Sequence, residues 1–234
     1  LSFMRENNLS TENVDIFCEG KSPVSLAFLN DQNEARYMFY TQYPENRLNV
    51  IWPRIDPDDI LILGSYYAVN PSLRYRITEF LEYAHERKAI IYYDPNFRKA
   101  HAHEAMRITP SLLETLFNLS DPGKVYLDKI KFYCPNFIYT RGPKGVELFT
   151  AQTHLHFDVP QIKPVSTIGA GDNFNAGLLY GILRENISRS QLENLSPEKW
   201  SDIISSGIDF SLEVCNSYDN YISTEFAAKY RTTH

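Results

Sequence analysis

The stretch from Asp59 to Asp94 restricts the fold more than any other part of the chain. Asp59-Ile60-Leu61-Ile62-Leu63-Gly64-Ser65 is a continuous apolar run ending in small residues. That is the pattern of a strand buried on both faces of a parallel sheet. Pro71 opens a helix that runs to about Lys88 and carries Leu73, Ile77, Phe80, Leu81 and Ala84 on one stripe. Ala89-Ile90-Ile91-Tyr92-Tyr93-Asp94 then repeats the strand pattern. Strand, helix and strand with short joins form a βαβ unit, whose right-handed crossover demands a parallel sheet with helices laid over it. The chain is therefore expected to be α/β.

Elsewhere the alternation is less regular. Ser25-Leu26-Ala27-Phe28-Leu29 and Ala35-Arg36-Tyr37-Met38-Phe39-Tyr40 flank Asn30-Asp31-Gln32-Asn33-Glu34, a hairpin by its turn chemistry. Glu104 to Leu116 and Lys124 to Tyr133 read as helices with no strand between them. Asn136 to Thr140 and Val146 to Thr150 form a second hairpin around Arg141-Gly142-Pro143-Lys144-Gly145, followed by a strand over Leu155 to Val159. Helical spacing covers Phe174 to Arg184, Pro197 to Cys215 and Thr224 to Arg231, and the second of these starts after Ser196 with Pro197 in its first turn. The opening residues, from Leu1, read as part of an amphipathic helix, and the natural N-terminus is expected to lie upstream.

With 234 residues, 43% of them hydrophobic, one globular domain is the default expectation. A formal net charge of −6 leaves no broad basic surface for a nucleic-acid backbone. Cys18, Cys134 and Cys215 are odd in number and widely spaced, which gives neither a disulfide framework nor a CxxC metal site and suits reduced thiols. No apolar run reaches the ~20 residues that span a bilayer, and the start has no signal-like hydrophobic region, so a cytoplasmic protein without a membrane partner is expected.

The chemistry is concentrated in Ser166-Thr167-Ile168-Gly169-Ala170-Gly171-Asp172-Asn173-Phe174-Asn175-Ala176-Gly177, a glycine-rich turn running into a helix. Glycine lets the backbone approach a ligand closely, and the unpaired N–H groups at a helix N-terminus receive anions such as phosphate. A carboxylate in a pure phosphate cradle would repel its ligand. It has a use if Asp172 accepts the proton of an attacking hydroxyl while the amides of Ala170, Gly171 and Asp172 stabilise the transferred phosphoryl group. The bland alternative is that Asp172 caps its helix. A dinucleotide fingerprint fits poorly because Phe174 stands where the third glycine belongs, and no Gly-Lys-Ser/Thr follows to make a Walker loop.

This stretch resembles the signature of the PfkB, or ribokinase-like, carbohydrate kinases, D-T-x-G-A-G-D-x-F-x-A-G. Every position matches except the first, where Ser166 replaces an aspartate that helps order the cation and triphosphate region in the family. The resemblance implies a three-layer α/β/α ribokinase-like fold with a central mostly parallel sheet and a small β lid, over one kinase domain at 1–234. It implies Asp172 as catalytic base and Gly169, Ala170 and Gly171 as the anion hole, with ATP and Mg²⁺ as cofactors. It also implies a hydroxyl of a small sugar as acceptor: fructose first, then ribose or a nucleoside. No metal ligand is singled out.

Three further stretches fall in the family's order. Thr140-Arg141-Gly142-Pro143-Lys144-Gly145 resembles its T-x-G-x-x-G turn, which implies nucleotide contacts from Thr140, Gly142 and Gly145; the alternative is a plain hairpin turn. Asn216 sits where the family borders the adenine, and equally suits a buried helical asparagine satisfied by backbone. Asp94-Pro95-Asn96-Phe97-Arg98 resembles the family's D-x-N-x-R at a strand end, implying that Asn96 and Arg98 face the sugar and phosphate; the alternative is a local Asp94–Arg98 pair. Residues 24–41 correspond to the lid over the sugar, which can also pair with a second copy, or they are a plain sheet edge. The resemblance further implies a preceding segment with the first strand and the sugar-gripping aspartate, and a strand with an N-x-x-E-like motif near residues 117–120. Ser166 keeps open a catalytically silent sugar- or nucleotide-sensing protein on the same fold. His154 and His156 alternate along a strand and read as surface positions rather than metal ligands.

Overall fold

Helix formation after residue 70 begins with a side chain. Asn70 Oδ1 accepts a 3.0 Å bond from the Ser72 N–H, Pro71 supplies a fixed φ, and a single 3₁₀ turn, Pro71–Leu73, leads into the helix proper. The computed structural model describes residues 1–31, 35–44, 47–64, 70–94, 127–128, 131 and 134–231. The expected helices over 104–116 and 124–133, the join near 117–120, and Asn96 and Arg98 lie outside, or largely outside, the described residues. Contacts divide the chain into two units, Leu1–Ala27 with Tyr37–Phe117, and Phe28–Arg36 with Asn118–His234.

The first unit holds a short helix α1 (Ser2–Glu6), most of the hairpin formed by β1 (Lys21–Leu29) and β2 (Ala35–Gln42), strand β3 (Ile60–Gly64), helix α2 (Arg74–Glu86) and strand β4 (Ile90–Asp94). β3 and β4 pair in parallel, from Ile60↔Ile90 to Gly64↔Asp94. The expected stripe on α2 is observed: Leu73, Ile77 and Ala84 are buried, and Phe80 and Leu81 are partly so. Ile55, Ala84 and Ala89 form a small core against which Leu61, Phe80 and Tyr83 pack. The expectation that β3 is buried on both faces needs correction. Side chains alternate across a strand; Leu61 turns to the core beside α2, while its neighbour Ile62 stays 58% exposed.

In the second unit β5 (Phe137–Thr140), β6 (Val146–Phe149) and β7 (His154–Phe157) make an antiparallel sheet in that order, all three close to the expected strands. Four helices follow: α3 (Ala170–Arg184), α4 (Arg189–Leu192), α5 (Pro197–Cys215) and α6 (Thr224–Arg231). α5 and α6 match the expected bounds, and α5 is capped at Ser196, whose Oγ accepts from the Lys199 N–H. α4 was not expected, although Ser188 and Gln191 carry a capping-box spacing: the Ser188 N–H donates to Gln191 Oε1 at 2.8 Å.

α3 and α5 pack backbone to backbone. A Cβ on Gly177 would lie 2.4 Å from the Ser206 carbonyl oxygen, so only hydrogen fits there. Around this contact Phe174, Leu178 and Ile182 of α3 are buried, as are Ile203, Ile204, Ile208 and Val214 of α5. Burying a side chain of this size stabilises by about 1.5–3 kcal/mol, and the seven together fix where α3 begins relative to the end of α5. α6 closes over them through edge-on contacts of Tyr230 with Tyr180 and Phe210. The Tyr230 hydroxyl donates to Asp209 Oδ2 at 2.9 Å. Among the described residues no helix is long and apolar enough to cross a membrane.

Candidate active site

α3 starts four residues earlier than its apolar spacing suggests. Periodicity first appears at Phe174, but Ala170, Gly171 and Asp172 already have helical geometry. The N-cap is Gly169, held in the left-handed region at φ 82°. That conformation costs an L-residue with a Cβ roughly 1–2 kcal/mol, and a Cβ there would also stand 3.0–3.1 Å from the Cβ and carbonyl oxygen of Asn220.

Asp172 thus occupies the third helical position and is not the N-cap, and it is exposed. A carboxylate in a first turn is favoured by the helix dipole. Gly171 is exposed with nothing within 4 Å of where its Cβ would be, so the space before the helix holds no packed apolar group at that point. The first-turn amides are not equivalent. Ala170 N–H makes a long 3.3 Å bond back to the Thr167 carbonyl.

Ser166, where the family signature has aspartate, is buried at 5% exposure, and its Oγ accepts from the Ile168 N–H at 3.2 Å. Its hydroxyl thus braces the turn locally. Val165 N–H donates to the Cys215 carbonyl at 2.8 Å, tying the approach to the glycine turn to the end of α5. Asn216 follows directly as the C-cap of α5 and is exposed, which disposes of the buried-asparagine alternative.

The second glycine turn, between β5 and β6, is a 3₁₀ turn over Gly142–Lys144. Arg141 N–H donates to the Gly145 carbonyl (2.9 Å), Lys144 N–H to the Arg141 carbonyl (3.2 Å) and Gly145 N–H to the Gly142 carbonyl (3.1 Å). Gly142 faces open space. Gly145 instead is buried against β7, where a Cβ would meet the His156 ring at 2.5 Å and the Phe157 carbonyl oxygen at 2.6 Å. Thr140 is exposed at the end of β5. Gln161 Nε2 donates to the Pro143 carbonyl at 2.9 Å, linking this turn to the segment that leads to Ser166.

Beside that turn lies a cluster missed in the sequence. Glu147 pairs across strands with His156, and its carboxylate accepts from His156 Nδ1 at 2.9 Å and His154 Nε2 at 2.8 Å, with Arg141 Nη1 at 3.7 Å. The two histidines therefore do have a carboxylate partner, brought by strand register rather than by nearness in sequence. Burial pushes the Glu147 carboxyl up, but the histidine hydrogen bonds more than offset this and leave it below the usual range. The bond to Glu147 raises His156. No group of three or more His, Cys, Asp or Glu side chains able to hold a metal ion occurs among the described residues.

The family model for pfkB carbohydrate kinases matches residues 1–194. That match includes both glycine turns and stops short of Asn216. A fructokinase of Solanum tuberosum is 24% identical over 202 residues, covering 77% of this chain and 60% of that protein. The chain spans about three fifths of the length of this relative and of a probable fructokinase of Arabidopsis thaliana. Among solved structures, a Vibrio cholerae fructokinase with fructose, ADP and calcium superposes with a TM-score of 0.73 at 16% identity, covering 94% of this chain and 75% of that one. Aminoimidazole riboside kinase of Salmonella enterica, complexed with aminoimidazole riboside and an ATP analogue, gives 0.70 at 17% identity, covering 99% and 79%. These likenesses give the fold as ribokinase-like α/β. The matched signature, the fold and the match over most of its length place the chain in the PfkB family of carbohydrate kinases.

Proposed function

We propose that this protein is a cytoplasmic kinase that transfers the γ-phosphoryl group of ATP to a hydroxyl of a small sugar, with fructose the first candidate and ribose or a nucleoside next. The observation that carries the reading is an exposed carboxylate, Asp172, in the first turn of a helix whose start lies open at Gly171. In the reaction the sugar oxygen bonds to the γ-phosphorus, the bond to the β–γ bridging oxygen breaks, ADP leaves, and the hydroxyl proton passes to Asp172. Gly169, Ala170 and Gly171 receive the transferred group. Thr140, Gly142, Gly145 and Asn216 serve the nucleotide, Gly145 by letting the turn close against β7 and not by facing the ligand. Asn96 and Arg98 serve the sugar and phosphate side.

Mg²⁺ ordinarily binds through substrate phosphates with one or two carboxylates. The described residues offer no cage for it and Ser166 supplies no carboxylate, so Mg²⁺ would be held mainly by the phosphates of ATP. The hairpin of β1 and β2 is read as the lid of a single kinase domain, and exposed Val24, Leu26, Phe28, Met38 and Tyr40 give it an apolar surface on which a second copy can pair.

The test is ADP release with a panel of sugars. Asp172→Asn is expected to lower kcat by at least about 100-fold with ATP binding retained, as for a general base. An unchanged rate removes Asp172 from the mechanism. Ser166 favours a second reading, a silent sensor that binds sugar or nucleotide without transfer; binding without ADP release in the wild type would select it.

A further inference from the structure

The residue following Asp172 is the candidate. Asn173 is buried at 8% exposure, an unusual place for an amide unless its hydrogens are used. Its Nδ2 donates to the Gly169 carbonyl at 2.9 Å and to the Asn220 carbonyl at 2.9 Å. Gly169 is the left-handed N-cap of α3, and Asn220 lies in the loop that follows Asn216 at the end of α5. The same two segments touch again where the α-carbon of Gly169 faces Asn220. One side chain thus spends both of its amide hydrogens joining the turn that bears Asp172 to the loop beside Asn216.

We propose that Asn173 is a positioning residue: its amide locks the glycine turn to the 217–221 loop, so that Asp172 and the first-turn amides are held in one orientation relative to the Asn216 side of the site. Asn173 touches no reactant. It acts through Gly169, whose left-handed geometry decides where the amides of Gly171 and Asp172 point. The Gly169 carbonyl also accepts the Asn173 backbone N–H at 2.9 Å, so what leucine or alanine would remove is the link to the Asn220 carbonyl. An acidic residue of the same size would set a charge against both. The inference rests on the kinase reading for its effect on rate, while the lock itself rests on the geometry alone.

The experiment compares wild type, Asn173→Ala and Asn173→Asp by steady-state kinetics with ATP and the best sugar, by melting temperature, and by hydrogen–deuterium exchange of peptides covering 166–176 and 216–222. Both variants are expected to lose about 10- to 100-fold in kcat, the effect of misplacing a reacting group by about an ångström. KM for ATP should change less than about threefold, because ground-state binding needs the aim less than the transition state does. Exchange should quicken in both peptides together and not in α6. If kcat and exchange both stay at the wild-type level, the proposal is overturned. The same holds if activity falls only in step with the folded fraction, or if neither variant folds, since Asn173 would then be structural. If the wild type itself phosphorylates no sugar, the kinase reading fails on its own, and the exchange comparison still decides whether the lock exists.

Discussion

The two glycine turns of the second unit look alike in sequence and differ in what they do with their backbone. Around Gly142–Gly145 the N–H groups of Arg141, Lys144 and Gly145 bond inside the turn, and Gly145 is pressed against β7. Around Gly169–Asp172 the chain passes through one left-handed residue and becomes a helix at once, with Gly171 facing open space. One turn spends its donors on its own closure, and the other aims the start of a helix outward. Glycine is required in both, for opposite reasons: at Gly145 because no atom fits, at Gly169 because a helix must begin in a direction that only a left-handed residue allows. Glycine count alone therefore does not distinguish a ligand cradle from a tight hairpin. The direction in which the hydrogens point does.

Substitution at the closed turn should have the larger effect on stability. Gly145 has φ 99° and ψ −171°, a region essentially reserved for glycine. An alanine methyl would overlap a ring braced by Glu147 and a backbone carbonyl of β7. Gly145→Ala is expected to cost about 3 kcal/mol, read as a melting temperature lower by about 6–12 °C. Gly169→Ala should cost less stability, about 1–2 kcal/mol for the left-handed conformation, because the nearest atoms lie at 3.0 Å or beyond, against 2.5 and 2.6 Å at Gly145. Its effect on turnover should be the greater of the two, about 10-fold or more in kcat, since it re-aims the first turn of α3. Melting curves and kcat measured on the same preparations check both. If Gly145→Ala proves the more damaging to kcat per folded molecule, the division between a closed and an open turn is wrong.

The sequence made the local elements of both turns readable and left their tertiary roles hidden. Apolar periodicity located α2, α5, α6 and the strands to within a few residues, because burial against a neighbour is what writes that pattern. It misplaced the start of α3, since Ala170, Gly171 and Asp172 are exposed or half-buried and contribute no apolar stripe. It missed α4, whose four residues bury nothing and depend on a capping box. Asp172 stood out in the sequence because it lies in a glycine-rich turn read as receiving phosphate, where a carboxylate calls for a reason and the proposed role as base supplies one. Asn173 did not, because its role depends on Asn220, far along the chain, and only packing of α3 on α5 brings them together. Glu147 was hidden in the same way: β7 returns His154 and His156 to it through strand register.

That Glu147 cluster also gives the closed turn a pH dependence, and it sets the smallest of the expected effects. Glu147 is held below the ordinary glutamate range, so its contribution is fully present above about pH 4.3 and fades as pH falls through its lowered value. His156 is raised, so its contribution is complete below about pH 6.5 and is lost as pH rises through its raised value. The groups facing it are Glu147 at 2.9 Å and Asp158 at 3.4 Å, both attractive, while Arg141 competes for the same Glu147 oxygen at 3.7 Å. The sheet of β5, β6 and β7 should therefore be most stable between about pH 4.3 and 6.5 and soften towards pH 8. Because the His156 side chain is 44% exposed, salt screens the effect, and the fall should be smaller than that caused by either glycine variant. Melting temperatures across this range at fixed low ionic strength, for wild type and His156→Gln, isolate it. His156→Gln should flatten the alkaline limb and also shrink the part of the acid limb that the His156 bond gives Glu147, leaving the part owed to His154 and the other carboxylates. An alkaline limb that survives the substitution would mean that the Glu147–His156 bond is not its source, leaving the His154–Glu147 bond and the packing of Gly145 on β7 to hold the turn closed.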